Sequence, residues 1–119
     1  MGNPKRISII DDDGAVSEAM AGLLRSLGYT TETFDSAEAF LSSSEVLQAS
    51  CIITDVRMPG MGGVGLQIYL IASGYNLPII FMTAFPDDKT RKQVLDAGAI
   101  CYLPKPCDQE RLVNCIEAA

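Results

Sequence analysis

Histidine is absent from this 119-residue chain. That removes the side chain most often used as a transition-metal ligand and as a general base near neutral pH. Basic residues are also few, 9 Lys and Arg against 15 Asp and Glu, for a net charge of −6. A surface of that sign repels nucleic-acid phosphates and anionic lipid, so direct contact with DNA or a membrane is not expected. No apolar run is long enough to span a bilayer. The first six residues lead straight into a strand-like segment, without the apolar core and cleavage site of a signal peptide, so a cytoplasmic location is expected. The four cysteines, Cys51, Cys101, Cys107 and Cys115, match no zinc-binding spacing. Two of them, Cys51 and Cys101, fall in apolar strand-like runs, so the thiols read as small buried or incidental groups.

What the chain does have is a regular beat. Strand-like segments at 6–10, 29–34, 51–54, 78–82 and 99–103 alternate with helix-like ones. The first helix carries an apolar stripe at Val16, Met20, Leu23, Leu24 and Leu27 and stops at Gly28; later helices close at Gly74 and Gly98. A short helix over 36–43 has Asp35 or Ser36 as its cap, and Glu38 is placed to complete a capping box on Asp35. Asp108 caps a last helix through residue 116. Five βα units predict an α/β fold: a doubly wound, five-stranded parallel sheet with helices on both faces and right-handed crossovers. The continuous apolar runs of the later strands suit a sheet covered on both sides. There is no repeat, low-complexity stretch or linker, so residues 1–119 read as one domain.

In such sheets ligands bind outside the carboxyl ends of the strands, where strand order reverses. Past the first strand stand Asp11, Asp12 and Asp13; past the third, Asp55; past the fourth, Thr83; past the fifth, Lys105. Asp35 follows the second strand, whose edge position would carry it away from the centre. Each residue alone has a plain explanation as a cap, turn or strand end, and Asp13 reads as a helix cap. Together they are harder to explain structurally. Converging carboxylates repel one another unless a cation or protons intervene. Hard oxygen donors without histidine suit Mg²⁺. Lys105 adds a positive charge, Thr83 a hydrogen-bond donor, and a carboxylate is a competent phosphoryl-accepting nucleophile.

These residues resemble the response-regulator receiver domains of bacterial two-component signalling, the CheY-like fold with strand order 2-1-3-4-5. The resemblance covers essentially the whole chain. It rests on Ile9-Ile10-Asp11-Asp12, on Asp55-Val56-Arg57-Met58-Pro59-Gly60-Met61, on Met82-Thr83-Ala84 and on Lys105-Pro106. The Asp-Val-Arg-Met-Pro form, with Phe34-Asp35-Ser36-Ala37-Glu38 before it, is similar to the FixJ-like subfamily, whose members usually carry a C-terminal helix-turn-helix output domain. The resemblance implies a phosphorylation-dependent switch that controls an output, with transcription regulation expected, rather than an enzyme. Asp55 would accept the phosphoryl group from a sensor histidine kinase. Asp11, Asp12, Asp55 and the backbone carbonyl of Arg57 would hold Mg²⁺. Thr83 and Lys105 would contact the phosphoryl oxygens and assist its transfer and loss, and the Lys105–Pro106 peptide is expected to be cis. On phosphorylation Thr83 would move, and Tyr102 at the switch position would fill the space. The face of the fourth helix, fifth strand and fifth helix would then rearrange and support a homodimer.

Some positions depart from the family pattern. Gly63 and Gly65 stand where a Ser and an acidic residue are common, which predicts a looser start to the helix after the Met-Pro loop. Phe85 is bulky for its position and is expected to shield an acyl phosphate from water. Cys107 stands where an aromatic commonly follows Lys-Pro. Two other classes fit less well. A phosphatase of the haloacid-dehalogenase type needs Asp-x-Asp-x-Thr on its first strand, and Asp11-Asp12-Asp13-Gly14-Ala15 lacks the Thr. A flavodoxin-like FMN carrier needs a phosphate loop that three aspartates would repel, and a degenerate docking module would not keep every site residue.

Overall fold

A computed structural model of the chain describes residues 5–106 and 108–119. Five strands, β1 (Arg6–Ile10), β2 (Thr30–Phe34), β3 (Cys51–Asp55), β4 (Ile79–Thr83) and β5 (Cys101–Pro104), form one sheet. The order is β2-β1-β3-β4-β5, and every neighbouring pair is parallel. The helices are α1 (Gly14–Ser26), α2 (Ala37–Leu41), α3 (Glu45–Gln48), α4 (Gly63–Ala72), α5 (Asp88–Asp96) and α6 (Gln109–Ala118). The expected doubly wound sheet and its strand order are therefore present. The short α3 is additional to the five helices expected, so the fourth and fifth helices of the sequence reading are α5 and α6.

Strand alternation divides the core in two. Ile7, Ile9, Cys51, Ile53, Ile80, Met82 and Leu103 face α1 and α6, meeting Ala21, Leu24, Leu112 and Ile116. Ile10, Ile52, Ile79 and Phe81 face the other way, toward Phe40 of α2, Val46 of α3, Leu66 and Leu70 of α4 and Val94 of α5. Period-two side chains on strands with both faces covered make each strand apolar throughout, which is why β3 and β4 are almost wholly buried. The edge strand β2 instead leaves Thr30 and Glu32 in solvent. Helices α1, α4 and α5 are followed by Gly28, Gly74 and Gly98, all at positive φ, the left-handed conformation that closes a helix most easily on glycine.

Two local expectations are corrected. Of the two caps expected for α2, Ser36 is the one present, accepting from the Ala39 amide, and the capping box expected on Asp35 is not completed by Glu38. Its carboxylate reaches instead across to the loop after β3, where Oε2 accepts from the Met61 amide at 3.1 Å. The start of α4 is also not slack at Gly63. The Gly63 amide donates to the Val56 carbonyl at 3.0 Å, and a Cβ at Gly63 would run into the backbone carbonyl of Asp55. The helix packs directly onto the end of β3, so glycine is there for close approach. The missing stabilisation lies one residue earlier, where Gly62 offers no side-chain cap.

The cysteines need a third correction. Cys51 is a buried free thiol, as read from its strand. Cys101 and Cys115, in contrast, form a disulfide between β5 and α6. Cys107 lies outside the described residues.

Candidate functional site

Strand order reverses between β1 and β3: one crossover leads outward to β2, the others to β4 and β5. Helices diverge from that seam, leaving a crevice at the carboxyl ends of the strands. Asp11 follows β1 there, and Asp55 closes the adjacent β3. Asp13 caps α1 by accepting from the Ala15 and Val16 amides, so it belongs to the helix and not to the crevice. Asp12, between them, is exposed. Asp11, Asp12 and Asp55 each present a carboxylate oxygen within 4.8 Å of the others. Asp35 is not part of this group.

Lys105 lies across the cluster. Its Nζ donates to Asp11 Oδ2 at 2.6 Å and to Asp55 Oδ2 at 2.9 Å. The Lys105 amide donates to the Thr83 carbonyl at 2.8 Å, so the end of β4 fixes the lysine's backbone, and the following Lys105–Pro106 peptide is cis. Burial is the largest single influence on the Lys105 ammonium and pushes its pKa down. The hydrogen bonds and charges of Asp11 and Asp55 together outweigh that burial, and the pKa stands above the ordinary lysine value.

The remaining oxygens are held by backbone. Asp11 Oδ1 accepts from the Asp13 amide at 2.9 Å, and Asp55 Oδ1 accepts from the Arg57 amide at 3.2 Å. Thr83 is buried at the end of β4, and its Oγ1 accepts from the Phe85 amide at 3.1 Å, which leaves its own proton free to be donated. Tyr102 on β5 is half-buried, and its hydroxyl accepts from the Asp87 amide ahead of α5 at 3.2 Å. At the rim, the Arg57 guanidinium lies 5.9 Å from the centre of the exposed Phe85 ring.

Of the site residues expected from sequence, Asp11, Asp12, Asp55 and Lys105 meet in the crevice, Arg57 and Thr83 adjoin it through their backbones, and Tyr102 lies outside it, bonded to Asp87. The donor set fits the cation expected. Three carboxylates supply hard oxygens, the described part of the crevice contributes no sulfur or imidazole, and a single ammonium cannot neutralise three acids. Sequence reasoning missed Glu38, whose bond to the Met61 amide supports the loop beyond Asp55. That bond is the main reason its pKa sits below the ordinary glutamate value. No sequence spacing signals such a contact, because it joins residues 23 apart. The Gly62-Gly63 pair was a legible sign that backbone approaches backbone closely.

Comparison with known proteins agrees with this geometry. Residues 7–117 match the family described as the response regulator receiver domain. The response regulator protein TodT of Pseudomonas putida is 41% identical over 113 residues, an alignment covering 95% of this chain and 50% of TodT. The transcriptional regulatory protein FixJ of Bradyrhizobium diazoefficiens is 37% identical over 113 residues, covering 95% of this chain and 55% of FixJ. Among solved structures, the response regulator StyR superposes with a TM-score of 0.89 at 41% identity, over 97% of this chain and 58% of StyR. The chain belongs to the receiver-domain family of two-component response regulators, and its similarity to FixJ agrees with the subfamily expected. It spans about half the length of the curated relatives it matches. Among the described residues, no helix is long and apolar enough to cross a membrane.

Proposed function

We propose that Asp55 accepts a phosphoryl group from a phosphohistidine on a sensor histidine kinase, and that this switches the face formed by α5, β5 and α6 to control an output. The observation that carries the reading is the Lys105 ammonium shared between Asp11 and Asp55 inside a three-carboxylate cluster. An oxygen of Asp55 attacks phosphorus, the new P–O bond forms as the P–N bond breaks, and the electron pair leaves with the imidazole. Lys105, already at hydrogen-bond distance from Asp55, pairs with a phosphoryl oxygen. Thr83 has a free hydroxyl proton and donates it to another.

Asp11, Asp12 and Asp55, with the carbonyl of Arg57, would hold Mg²⁺, which when bound supplies positive charge against the phosphoryl oxygens. The chain assists transfer and later hydrolysis of its own phosphoryl group. Movement of Thr83 toward the phosphoryl group vacates space beside β4. Tyr102 fills it by giving up its bond to the Asp87 amide, and the rearranged α5–β5–α6 face pairs with a second copy. The name of FixJ, a transcriptional regulatory protein, points to transcription as the output. The acidic balance supports a receiver that does not itself touch nucleic acid or membrane.

The test is intact mass after incubation with acetyl phosphate, with and without Mg²⁺, for wild type and Asp55→Ala. One Mg²⁺-dependent phosphoryl addition, absent in the variant, is expected. Addition that persists in Asp55→Ala would overturn the assignment of the acceptor.

A further inference from the structure

Away from the crevice, Cys101 and Cys115 face each other across β5 and α6 with Cα atoms 6.2 Å apart, within the range a disulfide can bridge. We propose that they form a reversible thiol–disulfide modification site that exchanges with an anionic low-molecular-weight disulfide of the glutathione class. This site stands on its own residues and does not rest on the role given to Asp55.

Three observations support it. First, both cysteines line an open surface cavity of about 370 Å³, Cys101 half-buried and Cys115 buried against the core. Secondly, the charged residues lining that cavity are Arg91 and Arg111, with no carboxylate among its lining residues. Positive charge there favours a thiolate and draws in an anionic disulfide. Thirdly, α6 is anchored to the sheet by more than the disulfide. Cys115 sits on the core side of α6 beside Leu112 and Ile116, which hold the helix to the sheet, and a reduced thiol is itself a small apolar group. Cys51 supplies the contrast: burial pushes its thiol up to about 12, so it stays protonated and unreactive.

The exchange balances without any further reactant. One cysteine thiolate attacks a sulfur of the small disulfide, forms a mixed disulfide and releases one small thiolate. The second cysteine, as thiolate, attacks the protein-bound sulfur, closes the Cys101–Cys115 bond and releases the other small thiolate. Two electrons pass to the small disulfide, and the protons given up by the two cysteine thiols are taken up, through solvent, by the two released thiolates, which become thiols. Excess small thiol reverses both steps. The bond joins β5, one residue from Tyr102, to α6, so oxidation state and phosphorylation would meet on one face.

The test equilibrates the native protein in glutathione buffers of graded reduced-to-oxidised ratio, traps free thiols with an alkylating reagent, and reads intact mass and disulfide-linked peptides. The expected result is the paired loss of two alkylation adducts as the buffer becomes oxidising, with one linked peptide containing Cys101 and Cys115. Cys107→Ser should leave this transition in place, while Cys101→Ser and Cys115→Ser should each abolish it and stop at the mixed disulfide. Circular dichroism of the serine variants checks that they fold. A linkage through Cys107, thiols that stay free at every ratio, or a bond that native protein never surrenders to excess thiol would each overturn the proposal.

Discussion

Replacing Lys105 by Met removes the cation from the acidic cluster while keeping most of the side chain's volume. Asp11 and Asp55 then face each other with oxygens within 4.8 Å and no ammonium between them. At an effective dielectric of about 20, two unit charges at that distance repel by about 3.5 kcal/mol. Their side chains are only 5% and 14% exposed, so solvent screens the pair incompletely, although Asp55 is the wetter of the two. Losing one partner of a fully buried ion pair costs about 3–5 kcal/mol, and an exposed pair contributes about 0–1 kcal/mol. This site lies between those limits, which gives an expected loss of about 2–3 kcal/mol in metal-free buffer. With a urea slope of about 1–3 kcal/mol per molar, the unfolding midpoint should fall by roughly 0.7–3 M.

Mg²⁺ should reverse the order of effects. In wild type the lysine would compete with a bound cation for the same oxygens; in Lys105→Met that competitor is gone. Each tenfold gain in affinity adds about 1.4 kcal/mol of stabilisation at saturating metal. Urea unfolding in EDTA and in excess Mg²⁺ therefore checks both halves of the argument, and the metal should raise the variant's midpoint more than that of wild type. A variant as stable as wild type in EDTA, or equal metal stabilisation of both, would refute the charge balance drawn for this cluster.

Other outcomes follow from single contacts. Gly63→Ala should destabilise by about 1–3 kcal/mol, because its Cβ must displace the Asp55 carbonyl or the Phe81 ring, and it should slow phosphorylation by moving Asp55; chemical denaturation and acetyl-phosphate kinetics report each. Glu38 titrates below its ordinary value in the fold, chiefly through the Met61 amide. Its contribution is thus fully present above the unfolded-chain value of 4.5 and is lost as pH falls through the lowered folded value. Glu38→Gln should therefore flatten the acid limb of the stability profile in urea titrations. Phe85→Ala removes the ring that pairs with Arg57 at the rim and should hasten loss of the phosphoryl group, by up to about tenfold or roughly 1.4 kcal/mol of barrier, measured as acyl-phosphate half-life.

The fold was legible because its signals are local and periodic. The strand at 6–10 was read with its observed bounds, and the others shifted by a residue or two, since helix and strand ends depend on hydrogen bonds that sequence patterns do not carry. The short α3 was invisible: four residues give no periodicity, and Glu45 within it is buried only because Arg6, on β1, meets its carboxylate at 2.5 Å. The capping box assigned to Glu38 shows the opposite error. The spacing was correct for a local bond, but a backbone amide 23 residues away competed for the same carboxylate and won.

By itself, then, the sequence determined the alternating strands and helices and the residues that end each strand, while the strand order came only with the family resemblance those residues carry. Convergence of those residues is a consequence of the fold's winding, and a reader of motifs recovers it. What only the tertiary structure decided are the contacts between elements remote in the chain: Lys105 shared by two aspartates, Gly63 pressed against the end of β3, Glu38 on the Met61 amide, and Cys101 paired with Cys115. Each depends on how far apart two elements stand and which way their side chains lean, quantities set by packing of the whole core and written in no local pattern.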